Sequence, residues 1–116
     1  MPTTLDFELR NFIGTEHYYK TAFGNLLYTD GIQFLAERAG AHWLVDAIAS
    51  YQPDYHKVDF QLWTLSVNQK GNATLTMRED DGEEALITQE ISYTDFPFGI
   101  MKLYVEGNVL MLPSER

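Results

Sequence analysis

The chain has 116 residues, 45% hydrophobic and 14% aromatic, with no cysteine and a formal net charge of −9. That size and apolar content predict a single globular domain over residues 1–116. The missing cysteine excludes disulfide staples, thiolate nucleophiles, zinc–thiolate sites and iron–sulfur clusters.

The charge is concentrated. Of the seventeen acids, Glu79, Asp80, Asp81, Glu83 and Glu84 fall in one segment, leaving twelve acids against eight bases elsewhere. The bases are scattered rather than clustered as phosphate-backbone binding requires, so no direct nucleic-acid contact is expected. No apolar run approaches the roughly twenty residues of a membrane span. The stretch Met1–Asp6 is neither basic nor apolar, so it does not read as a signal peptide. A cytoplasmic location is the expectation.

In chain order, Leu5, Leu9, Phe12 and Ile13 share one helical face, with Thr3 or Thr4 as cap and Gly14 as the left-handed stop. Residues 15–28 read as loop or irregular strand, with Tyr18, Tyr19 and Phe23 extended and Gly24-Asn25 as a turn. Asp30 is placed as a helix N-cap, with Gln33 completing a variant capping box. Ile32, Leu35, Ala36 and Ala39 define one apolar face, and Leu44, Ala47, Ile48 and Tyr51 another. On one continuous helix these faces would be offset by roughly 90°. Gly40 between them therefore predicts a break. Pro53 is expected to end the helical half.

From Val58 the period becomes two. Val58, Phe60 and Leu62 alternate, then Trp63, Leu65 and Val67 in the opposite phase, which requires a bulge or a strand covered on both faces. Asn68–Asn72 reads as a turn, Ala73–Arg78 as a half-exposed strand, and Asp80-Asp81-Gly82 as a turn in a solvated acidic tip. Ile87, Ile91 and Tyr93 are expected on one side of the next strand. Gly107-Asn108 predicts a two-residue type II′ hairpin between Ile100–Glu106 and Val109–Leu112. The fold class is α+β: N-terminal helices packed on one face of a roughly five-stranded antiparallel meander sheet.

Five blocks together form a pattern: Gly14-Thr15-Glu16 with Tyr18-Tyr19, Tyr28-Thr29-Asp30-Gly31, Ala39-Gly40-Ala41-His42-Trp43-Leu44, Tyr93-Thr94-Asp95-Phe96-Pro97, and Leu112-Pro113-Ser114-Glu115. In order and spacing, over about residues 9–115, they resemble an uncharacterised family of short bacterial proteins, a domain of unknown function. The resemblance implies no activity and lends no catalytic residues.

Candidate chemistry rests on Glu16, His17, Asp30, His42 and Asp95. His42 and Asp46 stand at i, i+4, on one helical face. A break at Gly40 lets both face water, as a surface pair extended by Arg38. Asp95, before Phe96-Pro97, is expected to stabilise a turn. No two-histidine metal spacing, phosphate-binding glycine loop or nucleophile elbow is present, so no metal or cofactor is expected. Tyr18, Tyr28 and Trp43 are the candidate ligand-binding aromatics. The strand at 100–106 reads as apolar on both sides, with Met101, Leu103 and Val105 on one and Ile100 and Tyr104 on the other. A protein partner or homodimer on the uncovered sheet face follows. The first functional reading is a small cytosolic protein-interaction or regulatory module of unknown partner, the residues leaning against catalysis without excluding it. The alternative is a small ligand-binding protein or enzyme using a carboxylate and histidine pocket.

Overall fold

A computed structural model describes residues 4–22, 25–97 and 99–116, apart from the side chains of Thr4, Asp6 and Phe7. The expected cap at Thr3 or Thr4, and the expectations for Phe23 and Gly24, fall outside these. The first helix, α1, is Thr4–Leu9. It stops earlier than the periodicity predicts. Tight turns from Asn11 to Glu8 and from Phe12 to Leu9 unwind it, and Ile13 is 82% exposed.

Two short strands come next, β1 (Tyr18–Lys20) and β2 (Leu27–Thr29), before helix α2 (Asp30–Arg38). The N-cap of α2 is Thr29 rather than Asp30: the Thr29 hydroxyl accepts the Ile32 amide at 3.3 Å. Gln33 bonds Glu37 instead of reaching back to the cap. Gly40 breaks the helix as expected. Its φ is +62°, and the Ala41 amide closes onto the Ala36 carbonyl at 2.8 Å, the six-to-one bond of a Schellman end. Helix α3 (His42–Tyr55) follows, and it carries Pro53 inside its last turn rather than ending there. A proline so near the end removes one intrahelical donor and interrupts little.

Strands β3 (Phe60–Val67), β4 (Ala73–Arg78), β5 (Ile87–Ile91), β6 (Gly99–Glu106) and β7 (Val109–Met111) complete the sheet, with a 3₁₀ turn at Pro113–Glu115. The order is β1-β2-β7-β6-β3-β4-β5, seven strands rather than five. The sheet is mixed, because β2 runs parallel to β7. The meander holds only for β3–β4–β5; β6 returns to pair with the far side of β3. Alternation identifies strands but not their neighbours.

The register of β3 is unbroken against both β4 and β6, so its phase switch is no bulge. The strand is covered on both faces instead, with Leu62 at 4% exposure on one side and Trp63 at 0% on the other. The helices bury Ile32, Leu35, Leu44 and Ile48 against Trp63, Leu65, Leu75, Met77 and Leu103. Trp63 donates its indole N–H to Gln61 at 2.9 Å, and Gln61 and Gln52 exchange amide bonds at 2.9 and 3.0 Å. These buried amides are a satisfied polar seam within the core.

The outer sheet face is mostly polar. It carries Thr64, Ser66, Thr74, Thr76, Thr88, Glu90 and Lys102. Phe60 and Tyr104 pack at 5.2 Å there, and Arg116 lies 4.5 Å over the Phe60 ring while pairing with Glu106. The apolar character expected on this side of β6 is therefore narrowed to Ile100, 69% exposed. No helix of the described residues is long and apolar enough to cross a membrane.

Candidate functional site

The end of β2 draws three of the five candidate residues together. The Asp30 carboxylate accepts the backbone amides of Glu16 and His17 at 2.9 and 3.3 Å. It also accepts the Tyr19 hydroxyl at 3.2 Å, and the His17 ring stands 3.5 Å away. The Asp30 amide in turn donates to the Thr15 hydroxyl at 2.9 Å. The Glu16 amide above all, with the Tyr19 hydroxyl and the His17 amide, holds the Asp30 carboxyl below its ordinary range, against a smaller opposing effect of burial. Partial burial and the adjacent Asp30 push the Tyr19 phenol up. A carboxylate so stabilised is a weak base, and its oxygens are already occupied by the fold.

A second carboxylate closes the same junction. Glu115 accepts the Thr29 hydroxyl at 2.6 Å, the Gly31 amide at 3.1 Å and the Leu112 amide at 3.0 Å. Gly31 is required by this approach: a Cβ there would lie 2.5 Å from Glu115 Oε1 and 2.6 Å from Leu112 Cδ1. Two negative groups thus sit at the positive end of α2, where its first amides need acceptors.

The other candidates lie elsewhere. His42 opens α3 and is exposed, as is Asp46 one turn on, with no ion pair between them among the described residues; Arg38 pairs with Glu8 at 3.2 Å. Trp43 is half-buried against the core. Tyr18 is 59% exposed, while Tyr28 stacks on Tyr19 at 5.4 Å. Asp95 is exposed in the β5–β6 connection, and the turn-stabilising acceptor there is Thr94, whose hydroxyl takes the Phe96 amide at 3.1 Å. Tyr93 leaves the strand and packs beside Gly71. Among the described residues no group of three His, Asp or Glu is placed to hold a metal ion. The residues that sequence reasoning missed are Thr15, Tyr19, Thr29 and Glu115. The Tyr-Thr-Asp-Gly and Leu-Pro-Ser-Glu blocks contained Thr29 and Glu115, and the Gly-Thr-Glu block with its Tyr-Tyr pair contained Thr15 and Tyr19; only contact across the fold shows why.

A different feature is open to solvent. The Gly107-Asn108 loop has φ of +59° and +65°, both positive, so the hairpin is type I′ and not II′. Its closing pair is Glu106 with Val109, and the ladder ends two steps later at Tyr104 with Met111. In a two-residue hairpin the closing pair is hydrogen-bonded, and bonded positions alternate along the strand. Glu106 and Tyr104 therefore aim their N–H and C=O groups at β7, and so do Lys102 and Ile100 beyond it. There β7 has stopped: Pro113 has no N–H, and the 3₁₀ turn leads the chain away. The opposite edge of β6 stays paired with β3 from Glu106 to Gly99. Between the stub of β7 and the end of α1 lies a cavity of about 310 Å³ lined by Leu9, Arg10, Met101, Lys102, Leu112 and Pro113 among others. At the other end of the sheet, adjoining cavities of about 190 and 500 Å³ share His56 and Asn108, above the Gln52–Gln61 seam.

Residues 3–116 match the family described as "Family of unknown function (DUF6876)", and the chain belongs to it. No curated protein and no solved structure matches the chain.

Proposed function

We propose that this member of a family of unknown function is a protein-interaction module that takes an extended segment of another protein as an added strand along Ile100–Lys102 of β6. One observation carries the reading. The ladder groups of Ile100 and Lys102 face a cavity with no strand of the described residues opposite them, while the other edge of the same strand is paired with β3 throughout. Strand addition satisfies such groups through main-chain bonds, and pockets beside the edge select side chains. The alternative, a pocket built on Glu16, His17, Asp30, His42 and Asp95, lacks this support: none of the five lines the cavities described above.

Selection from a displayed library of extended peptides tests the reading. The Lys102 N–H faces the notch, so Lys102→Pro removes the donor a peptide would use while sparing the bonds to β3. Selected peptides that bind the native chain and lose affinity for Lys102→Pro are the expected result. Peptides indifferent to that substitution, in a variant with native circular dichroism, would refute it.

A further inference from the structure

We infer that the segment accepted at this edge carries an apolar residue next to an acidic one, the apolar side chain entering the cavity and the acid facing Lys102. The inference rests on the strand-addition reading and specifies its ligand. Side chains directly opposite on paired strands point to the same face of a sheet. Met101 points inward and packs against the core. A residue opposite it would therefore enter the cavity between Leu9, Met101 and Leu112, all apolar. That is where an aliphatic or aromatic anchor gains the most burial.

The neighbouring residue of the segment points to the outer face, beside Lys102. The cross-strand partner of Lys102 on β3 is Thr64, and Lys102 has no ion pair among the described residues. No acid lines the cavity among its described lining residues, so Lys102 gives this apolar hole a locally basic edge. An acidic residue is drawn to Lys102, and a basic one is repelled by it.

Alternation sets the order. The position opposite Met101 and the position opposite Lys102 are consecutive, so the motif is an acid directly before or after the anchor.

The test uses fluorescence anisotropy with labelled synthetic peptides Thr-Val-Glu-Leu-Glu-Val-Thr, its Glu→Gln and Glu→Lys forms, and its Leu→Gly form. The Glu peptide should bind tighter than the Gln form by up to about fivefold, the range of an exposed ion pair. The advantage should shrink at high salt and reverse toward the Lys form in Lys102→Glu. Replacing the central Leu by Gly should weaken binding by at least about tenfold. Amide hydrogen exchange on the native chain provides a measurement free of any variant: the peptide should slow exchange at Ile100 and Lys102. Protection of these two amides by every peptide, with no preference for Glu or Leu, overturns the motif but leaves the edge reading standing. No protection and no binding overturn both. Concentration-dependent doubling of mass in light scattering, lost in Lys102→Pro, would assign the edge to a second copy and overturn the motif.

Discussion

The Glu115 carboxylate accepts the Thr29 hydroxyl at 2.6 Å, although 86 residues separate the two in sequence. Thr29 is also the N-cap of α2, so one hydroxyl accepts from the helix and donates to the segment that follows β7. The parallel β2–β7 pair and the start of α2 are joined at this point.

Glu115→Ala is expected to destabilise by about 1–3 kcal/mol, since it leaves the Gly31 and Leu112 amides short of a charged acceptor at a helix N-terminus. Gly31→Ala is expected to cost a similar amount, about 1–3 kcal/mol, through overpacking against the same carboxylate and Leu112. The two should not add. In a double-mutant cycle by urea denaturation the coupling should reach at least ~0.5 kcal/mol, because removing Glu115 removes one of the atoms that the new methyl strikes.

The pH dependence follows from Asp30. Its folded pKa lies below the ordinary value, so its stabilisation is present above the unfolded pKa and is lost as pH falls through the folded one. Acid titration of stability should therefore be flatter in Asp30→Asn than in the native chain below the usual aspartate range. Tyr19 acts at the other extreme. Its folded pKa is raised, so its contribution is present below the unfolded value and lost as pH rises through the folded one. Tyr19→Phe should remove a step above the ordinary tyrosine range in a phenolate absorbance titration.

The amide seam gives a test of core polarity. Gln61→Leu strands the Trp63 indole N–H and the Gln52 Oε1 in the interior, while the Gln52 amide N–H keeps the Ile48 carbonyl, at about 1–3 kcal/mol for each unsatisfied group. Adding Gln52→Leu should recover part of that loss, because one of the stranded groups is then gone. Thermal unfolding of the single and double variants measures both.

Along β6, amide exchange in the unbound chain should alternate. Met101 and Leu103 donate toward β3 and should exchange slowly, while Ile100 and Lys102 face the notch and should exchange fast. Equal protection at all four would show that the edge is covered.

Exposed candidates should be nearly silent. Alanine at His42, Asp46 or Asp95 is expected to change stability by no more than about 0.5 kcal/mol, read from the same unfolding curves.

Local rules carried much of the architecture. Two incompatible apolar faces about Gly40 required the break between α2 and α3, and the strict alternation of Ala73–Arg78 matches its burial residue by residue. The phase switch at Leu62–Trp63 signalled either a bulge or a strand covered on both sides, and the unbroken register with burial on both faces selects the second. Family membership, too, was legible in the order of short blocks spread over the chain. The helix break and the strand alternations are each encoded within a short segment, where periodicity reports which face is buried.

Pairing partners and shared atoms were decided only in three dimensions. Nothing local announces that Tyr28 lies beside Leu110, or that β6 inserts between β7 and β3. The three-residue strands β1 and β2 are too short for alternation to reveal, and they gain their backbone bonds from β7 and from each other. Asp30 looked like a cap and a candidate base. The fold gave the cap to Thr29 and the Asp30 oxygens to Glu16, His17 and Tyr19. The open edge of β6 is of the same kind. Its ladder N–H and C=O groups at Ile100 and Lys102 meet no strand among the described residues because β7 stops at Met111 and the 3₁₀ turn from Pro113 leads the chain away, a consequence of where two separate segments end relative to each other. Burial periodicity is a property of one segment, while a hydrogen-bond partner belongs to two, and the second one is known only once the chain has folded.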